Sequence, residues 1–190
     1  MRISDCEWIP ATRHQTWDAL TDPAVLQKCI PGCVHITQAS PTEYHVTLHT
    51  NVGGMKAAYE GEILLSDVNV PDSCTFAFEG KGAAAGLVIG TAQVNLADKE
   101  EGTRLSYTVA AMAGGQLAAL GDKVITGAAE KIISKFMAAF TEHMVGQPRT
   151  EYVAPPPPAD KSVPARHPLL TWAIPLAIVA SLMGYHTFFR

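Results

Sequence analysis

The chain has 190 residues, a formal net charge of -4, and Lys and Arg residues that are scattered rather than clustered. It therefore lacks the basic surface field that nucleic-acid binding needs, and we expect no nucleic-acid partner. The four cysteines, Cys6, Cys29, Cys33 and Cys74, contain no Cys-x-x-Cys pair, so the sequence predicts reduced thiols rather than a zinc site.

The N-terminal part predicts one strand followed by two short helices. The first ten residues look extended, and Thr12 suits the N-cap of the first helix. Asp22 and Pro23 suit the cap and the first position of the second helix, which ends at the Cys-Ile-Pro-Gly-Cys turn of residues 29–33. The first residues contain no apolar h-region, so we expect no signal peptide and a domain that is not exported.

Between His35 and Ala113, apolar residues alternate with polar ones in segments that Pro, Asp and Gly interrupt. This period of two predicts an antiparallel meander whose strands have one buried and one wet face. Leu87 and Ile89 fall on the outward face, where they could mark a contact. The predicted inward positions are Tyr44, Val46, Leu48, Thr50, Tyr59, Gly61, Ile63, Leu65, Cys74, Phe76, Phe78, Val88, Gly90, Ala92, Val94, Leu96, Leu105, Tyr107, Val109 and Ala111.

After Gly114-Gly115 the apolar period changes to 3.6 residues, which predicts one long amphipathic helix. This gives an α+β fold of the helix-grip type: a curved antiparallel β-sheet wrapped around a long C-terminal helix, with two short helices after strand 1. The predicted apolar stripe of the helix consists of Leu117, Leu120, Val124, Ile125, Ala128, Ile132, Phe136 and Phe140.

Three segments of different composition predict the domain organisation. Residues 1–146 form the helix-grip domain, and residues 147–168 are rich in proline and predict a disordered linker. Residues 169–189 are apolar, and about 20 residues at about 1.5 Å each match a hydrocarbon core of roughly 30 Å, so we expect a transmembrane tail anchor. Lys161 and Arg166 precede this run, which favours a cell-membrane protein with its globular domain on the cytoplasmic side.

No pattern in the sequence indicates catalysis or metal binding. His45 and His49 are four apart on a predicted strand, about 13 Å from each other, and cannot share an ion. The glycines of residues 80–86 lack the Gly-Lys-Ser/Thr ending of a phosphate loop and predict a hairpin turn. Since no Gly-x-Ser-x-Gly motif occurs either, we expect a protein that is not an enzyme, with no metal and no covalently bound cofactor.

Several predicted inward residues are unusually small, among them Gly61, Gly90 and Ala92, and Gly121 and Gly127 fall on the predicted helix. They could leave space for a ligand, or they could let the sheet curve and the helix pack closely. The larger inward residues around them would line an apolar cavity with a few hydroxyl groups. The candidate ligand-binding residues are Tyr59, Gly61, Ile63, Phe76, Phe78, Tyr107, Val109, Leu117, Leu120, Gly121 and Val124.

Ordered blocks of residues from Arg2 to Phe140 resemble the G subunit of carbon monoxide dehydrogenase, whose family is a branch of the helix-grip superfamily that includes START and Bet v 1 proteins. Among them are the turn of residues 29–33, Glu79-Gly80-Lys81-Gly82, Gly102-Thr103-Arg104-Leu105-Ser106-Tyr107, and the block from Gly114 to Gly121. One local departure is Gly54, where another residue such as proline is expected.

The resemblance implies a non-catalytic accessory protein that recruits a molybdenum CO dehydrogenase to the cytoplasmic membrane. It also implies a cavity that binds a respiratory quinone, menaquinone or ubiquinone, and delivers it to the enzyme. Related subunits could serve another molybdenum hydroxylase, and a pure membrane scaffold, a lipid-binding protein and an enzyme remain as alternatives.

In a helix-grip protein, the mouth of such a cavity is expected between three segments. These are the turn of residues 29–33, the Gly53-Gly54 hairpin and the start of the long helix. Ile30, Pro31 and Met55 would then be exposed rim residues, or they could belong to the core.

Overall fold

The computed structural model describes residues 1–83 and 86–146. The predicted linker, residues 147–168, and the predicted anchor, residues 169–189, lie outside the described residues. Within the described ranges, no helix is both long enough and apolar enough to cross a membrane.

Seven strands form one antiparallel sheet in the order β1-β7-β6-β5-β4-β3-β2, and a long helix packs on its concave side. The helix-grip arrangement predicted from the alternation pattern is thereby confirmed. The elements are β1 (Arg2–Ile9), α1 (Arg13–Thr21), α2 (Pro23–Cys29), β2 (Cys33–Ser40), β3 (Glu43–Val52), β4 (Met55–Asn69), β5 (Ser73–Gly82), β6 (Gly86–Lys99), β7 (Gly102–Ala113), a short 3-10 helix (Ala118–Leu120) and α3 (Asp122–Val145).

Both predicted helix starts near the N-terminus are confirmed. The hydroxyl of Thr12 accepts a hydrogen bond from the Gln15 backbone N–H at 3.3 Å, and Gln15 Oε1 accepts one from the Thr12 backbone N–H at 3.2 Å. This reciprocal pair is a capping box. At α2, Asp22 Oδ1 accepts from the Ala24 N–H at 2.8 Å, and Pro23 fills the first helical position.

Two hydrogen bonds, one buried and one partly buried, fasten the ends of α1 to opposite parts of the sheet. The hydroxyl of Thr103 on β7 donates to the carbonyl of Ala11, and the hydroxyl of Tyr44 on β3 donates to the carbonyl of Thr21, both at 2.8 Å. Losing one partner of a buried hydrogen bond costs about 1–3 kcal/mol. These bonds therefore fix the position of α1 across the curved sheet.

The hydrophobic core lies on the concave side of the sheet and consists of two clusters joined at Phe136. The larger cluster packs α1 and the second half of α3 against β1, β5, β6 and β7. The smaller cluster packs α2 against β2 and β3. The larger cluster includes Ile9, Trp17, Leu20, Cys74, Val94, Leu96, Leu105, Met137, Phe140 and Met144, and the smaller one Leu26, Ile36, Tyr44 and Val46.

The long helix begins later than the sequence predicts. Gly121 has φ 82° and ψ 152°, a conformation that in practice only glycine adopts, and α3 starts at Asp122 immediately after it. Leu117 precedes the separate 3-10 helix and Leu120 ends it. The predictions that these two leucines belong to α3, and that Gly121 lies in mid-helix, are therefore wrong.

The predicted apolar stripe of α3 is only partly correct. Val124 and Ile132 are 42% and 38% exposed, whereas Met137, Phe140 and Met144 are buried. All of the fully buried α3 residues come from its second half. The break at Gly121 separates α3 from the preceding leucines, and the core reaches only the second half of the helix, so the apolar side chains of the first half stay partly in water.

We expect Gly127→Ala to raise the free energy of unfolding by about 0.5–1 kcal/mol, because alanine loses less backbone entropy in a helix than glycine. A Cβ at Gly127 meets nothing within 4 Å. Urea denaturation of both proteins measures the difference.

Gly121→Ala is the matched control, since a Cβ there also meets nothing within 4 Å but the residue has φ 82°. This substitution should lower stability through backbone strain. Equal stability changes for the two variants would contradict the helix assignment.

We also expect stability to fall as the pH rises above about 9. Burial raises the pKa of the Cys74 thiol from 9.0 to about 11. Between these values the unfolded chain loses the thiol proton while the folded chain keeps it, which lowers the free energy of unfolding by up to about 1.4 kcal/mol per pH unit.

Cys74→Ala should flatten this dependence in urea denaturation between pH 8 and about 11. Cys6→Ala is the control, because Cys6 is exposed. An unchanged slope in Cys74→Ala would show that the thiol does not contribute.

Candidate ligand-binding site on the concave face

The concave face of the sheet carries an apolar floor of half-buried side chains. Ile63 pairs with Phe78 across β4 and β5, and in the next row Phe76 pairs with Ala92, which pairs with Val109 on β7. All of these residues point towards α3 and are half-buried. Four predicted site residues, Ile63, Phe76, Phe78 and Val109, are therefore brought together on adjacent strands.

The two other aromatic residues of the predicted site lie at opposite ends of this floor. The ring of Tyr59 covers Gly82, where a Cβ would come 3.0 Å from Tyr59 Cε1. Tyr107 pairs with Val94 and packs against the larger core cluster. The register separates the two tyrosines by eight residues of strand, about 27 Å at roughly 3.4 Å per residue. One polar group of a ligand cannot contact both.

The glycines of the floor do not all leave space. A Cβ at Gly61 would lie 2.5 Å from the backbone oxygen of Glu79, and one at Gly90 would lie 2.6 Å from Cζ of Phe78. These two glycines therefore allow close packing and do not leave space for a ligand, because a neighbouring backbone or ring already occupies the position of a side chain. Gly121 has open space, but it is exposed at the start of α3.

The start of α3 forms one wall of the site and meets the β3–β4 hairpin. A Cβ at Gly53 would come 3.1 Å from Leu120 Cδ1 and 3.2 Å from Val124 Cγ1. Leu120 is half-buried, and Leu117, three residues earlier in the chain, is buried. The predicted site residues Leu117, Leu120 and Gly121 therefore belong to the connection between β7 and α3, and Val124 lies in the first turn of α3. The hairpin tip touches Leu120 and Val124.

The turn of residues 29–33 is fastened to the sheet. The carbonyl of Gly32 accepts a hydrogen bond from the His49 N–H on β3 at 2.8 Å. Ile30 packs against the smaller core cluster, so it belongs to the core rather than to an exposed rim. Pro31 is half-buried, and the side chain of Met55 lies outside the described structure.

Two inward hydroxyl groups are available to a ligand. Tyr44 is committed to the carbonyl of Thr21, but no hydrogen bond to the hydroxyl of Tyr59 or Tyr107 is found within residues 1–83 and 86–146. Burial raises the pKa of Tyr59. Burial, and after it the carboxylates of Asp5 and Glu7, raise the pKa of Tyr107. Both phenols are therefore protonated at neutral pH and can donate a hydrogen bond.

The candidate set omitted residues that only the pairing of strands and the packing of α3 reveal. Ala92 lies between Phe76 and Val109 in one row, although the alternation pattern indicated only that it points inward. On α3, Ile125, Ala129 and Ile133 are half-buried and share one face at a spacing of four residues. No signal in the sequence distinguished this face from the exposed one of Val124 and Ile132.

Metal-binding groups do not accompany this apolar site. Across the described part of the chain, no three His, Cys, Asp or Glu side chains are placed so that they could hold an ion. The imidazole nitrogens of His45 are 3.8 Å from carboxylate oxygens of Glu43 and Glu62, but all three lie on the outer face of the sheet. The concave face offers burial and hydroxyl groups instead.

Comparison with known proteins relates this fold to one family. The family model CoxG, described as the G subunit of carbon monoxide dehydrogenase, matches residues 7–145. No curated protein matches the chain. A conserved protein from Geobacillus kaustophilus is 26% identical, with a TM-score of 0.71, over 76% of this chain and 95% of that one.

A more distant structure has the same architecture. A START superfamily protein from Mycobacterium smegmatis is 7% identical, with a TM-score of 0.59, over 76% of this chain and 97% of that one. At this identity the likeness concerns the fold alone, which is START-like.

Proposed function

The chain belongs to the CoxG family of carbon monoxide dehydrogenase G subunits, and from this membership we propose a non-catalytic accessory subunit that binds a respiratory quinone on its concave face. The quinone, menaquinone or ubiquinone, is delivered to a molybdenum CO dehydrogenase or to a related molybdenum hydroxylase. The observation that carries the proposal is the half-buried apolar floor of Ile63, Phe76, Phe78 and Val109 on the concave face, together with the partial exposure of Val124 and Ile132 on the first half of α3.

An isoprenoid tail fits the chemistry of this floor. The side chains of the floor are apolar and uncharged, so they attract a ligand through the burial of apolar surface rather than through charge. Burial contributes about 25 cal/mol per Å², or about 2.5 kcal/mol for each 100 Å² that the tail and the floor remove from water. The exposed apolar residues at the start of α3 would lose water contact in the same step.

A quinone head group needs hydrogen-bond donors, because its carbonyl oxygens are acceptors. The free hydroxyls of Tyr59 and Tyr107 are such donors, and the distance between them means that the head binds at only one of them. Tyr59 lies on β4, towards the hairpin that touches Leu120 and Val124, and Tyr107 lies beside the core. The isoprenoid tail would then extend over the floor from the tyrosine that binds the head group towards the other tyrosine.

Delivery would use the C-terminal part of the sequence. We propose that residues 169–189 anchor the chain in the cell membrane, with the globular domain on the cytoplasmic side. Extended as polyproline II at about 3.1 Å per residue, the linker of residues 147–168 would reach roughly 60 Å. Such a tether raises the effective concentration of the domain both at the lipid surface and at an enzyme docked there.

A second candidate is a membrane scaffold or lipid-binding protein that transfers no quinone. The packing at Gly61 and Gly90 favours it, because the backbone of Glu79 and the ring of Phe78 fill space that a ligand could have used. The two functions differ in whether an apolar ligand occupies the concave face.

Removing a head-group donor should weaken quinone binding. We expect either Tyr59→Phe or Tyr107→Phe, but not both, to raise the Kd for menaquinone-4 by about 2- to 10-fold, which corresponds to the roughly 0.5–1.5 kcal/mol of one hydrogen bond. Quenching of tryptophan fluorescence in the full chain measures the Kd.

Tyr44→Phe is the control, because its hydroxyl is bonded to the carbonyl of Thr21. This variant should lose stability and keep its affinity. If neither menaquinone-4 nor a short-chain ubiquinone binds to the wild-type chain, the quinone part of the proposal is wrong.

Filling the floor separates the two candidate functions. Ala92→Leu adds bulk between Phe76 and Val109, and we expect it to weaken menaquinone-4 binding at least tenfold and to slow electron transfer to the membrane. Gln93→Leu, one residue later and on the outer face, should leave both unchanged. Normal electron transfer in a folded Ala92→Leu protein that no longer binds quinone would favour the scaffold.

A further inference from the structure

The outer face of the sheet, which points away from α3, carries an apolar patch among polar residues. The outer patch consists of Leu64, Ala77, Ile89, Ala110 and Met112. Cross-strand pairing joins Leu64 to Ala77 and Ile89 to Met112. Leu64 is 47% exposed and Met112 is 68% exposed. Since the outer face of such a sheet is normally polar, an exposed apolar patch on it indicates an interaction site.

The outer patch contains a local depression, although it lies on the face opposite to the concave one. A depression of about 620 Å³ is lined by the patch residues together with Thr91, and also by Met1, Glu62, Phe78, Glu79, Gly90 and Ala111. The terminal ammonium of Met1, which donates to the carbonyl of Ala111, adds one positive charge beside the patch. Ala77 pairs with Thr91, which pairs with Ala110, so a row of short side chains crosses three strands. The taller side chains of Leu64, Ile89 and Met112 stand beside this row. A depression of this shape accepts a protruding apolar side chain from a partner, the kind of contact that dominates protein interfaces.

Acidic residues border the outer patch on one side. A second depression, of about 390 Å³, shares Glu62 and Glu79 with the first one. Glu60 also lines it, and its only lysine, Lys81, is already paired with Glu79 at 2.7 Å. The border therefore carries more negative than positive charge.

We propose that the outer face is a docking surface for a protein partner that presents an apolar side chain next to basic residues. A second copy of this chain that used the same face would bring two acidic borders into one interface, and an excess of like charge there opposes binding. An anionic bilayer would be repelled in the same way. A basic protein surface complements both the depression and its acidic border.

The position of this surface is compatible with ligand transfer. Along β5, β6 and β7, residues of the outer patch alternate with concave-face residues, so the patch and the apolar floor lie on opposite sides of the sheet. A partner docked on the outer patch leaves the concave face and the β3–β4 hairpin free. The inference rests on the proposed function in one respect, because the partner used to test it is the molybdenum CO dehydrogenase.

The test is binding of the full chain to purified molybdenum CO dehydrogenase, measured by biolayer interferometry at two salt concentrations. We expect Met112→Glu to weaken binding at least tenfold, because a charge would replace an apolar contact. Val145→Glu is the matched control, since Val145 is 69% exposed but lies at the end of α3. It should bind as the wild type does.

A second pair of variants tests the charge of the border. Glu62→Lys should weaken binding several-fold and reduce its dependence on salt, whereas Glu130→Lys, an exposed position on α3, should do neither. Thermal denaturation establishes that all four variants are folded.

The outcomes are distinguishable. If the wild-type chain does not bind the enzyme, delivery of quinone to that enzyme in the proposed function fails, and the docking inference fails with it. If the wild type binds and both Met112→Glu and Glu62→Lys bind equally well, only the docking inference is overturned. Dimerisation in ultracentrifugation, or binding to phosphatidylglycerol vesicles, that Met112→Glu abolishes would assign the patch to a second copy or to lipid and would also overturn it.

Discussion

The packing of the second half of α3 into the concave face is the interaction on which the domain depends. Met137, Phe140 and Met144 are buried there against α1 and the strands of the larger core cluster. Burying such a side chain contributes about 1.5–3 kcal/mol, so the three together supply about 5–9 kcal/mol, comparable with the total stability of a typical domain. This end of the helix therefore closes the fold and leaves little room for a ligand.

The first half of α3 contains none of the fully buried residues of this helix. Its apolar side chains are half-buried or exposed, and the half-buried side chains of Phe76, Phe78 and Val109 lie on the concave face of the sheet. The described contacts at this end include those of Leu120 and Val124 with the hairpin tip. The fully buried residues of α3 and the ligand site that we propose therefore lie towards different ends of the helix.

Small residues have different roles on the two faces of the sheet. On the concave face, the missing side chain of Gly90 makes room for the ring of Phe78, which fills the space at that position. On the outer face, the row of Ala77, Thr91 and Ala110 forms a depression, and no residue of the described ranges fills it. At the β1 edge, Asp5 and Glu7 occupy concave-side positions opposite Tyr107 and Leu105, where charge opposes edge-to-edge association.

The sequence by itself determined the elements whose signals are local: the caps at Thr12 and Asp22, the alternation of the strands and hence the inward set that contains Phe76 and Tyr107. Only the tertiary structure decided where α3 begins, which of its apolar residues are buried, and whether a glycine leaves space, because these depend on what faces each residue from elsewhere in the chain. Gly121 shows the difference. Its identity is visible in the sequence, but its positive φ, which ends the 3-10 helix and starts α3, follows from how the chain turns back over the sheet.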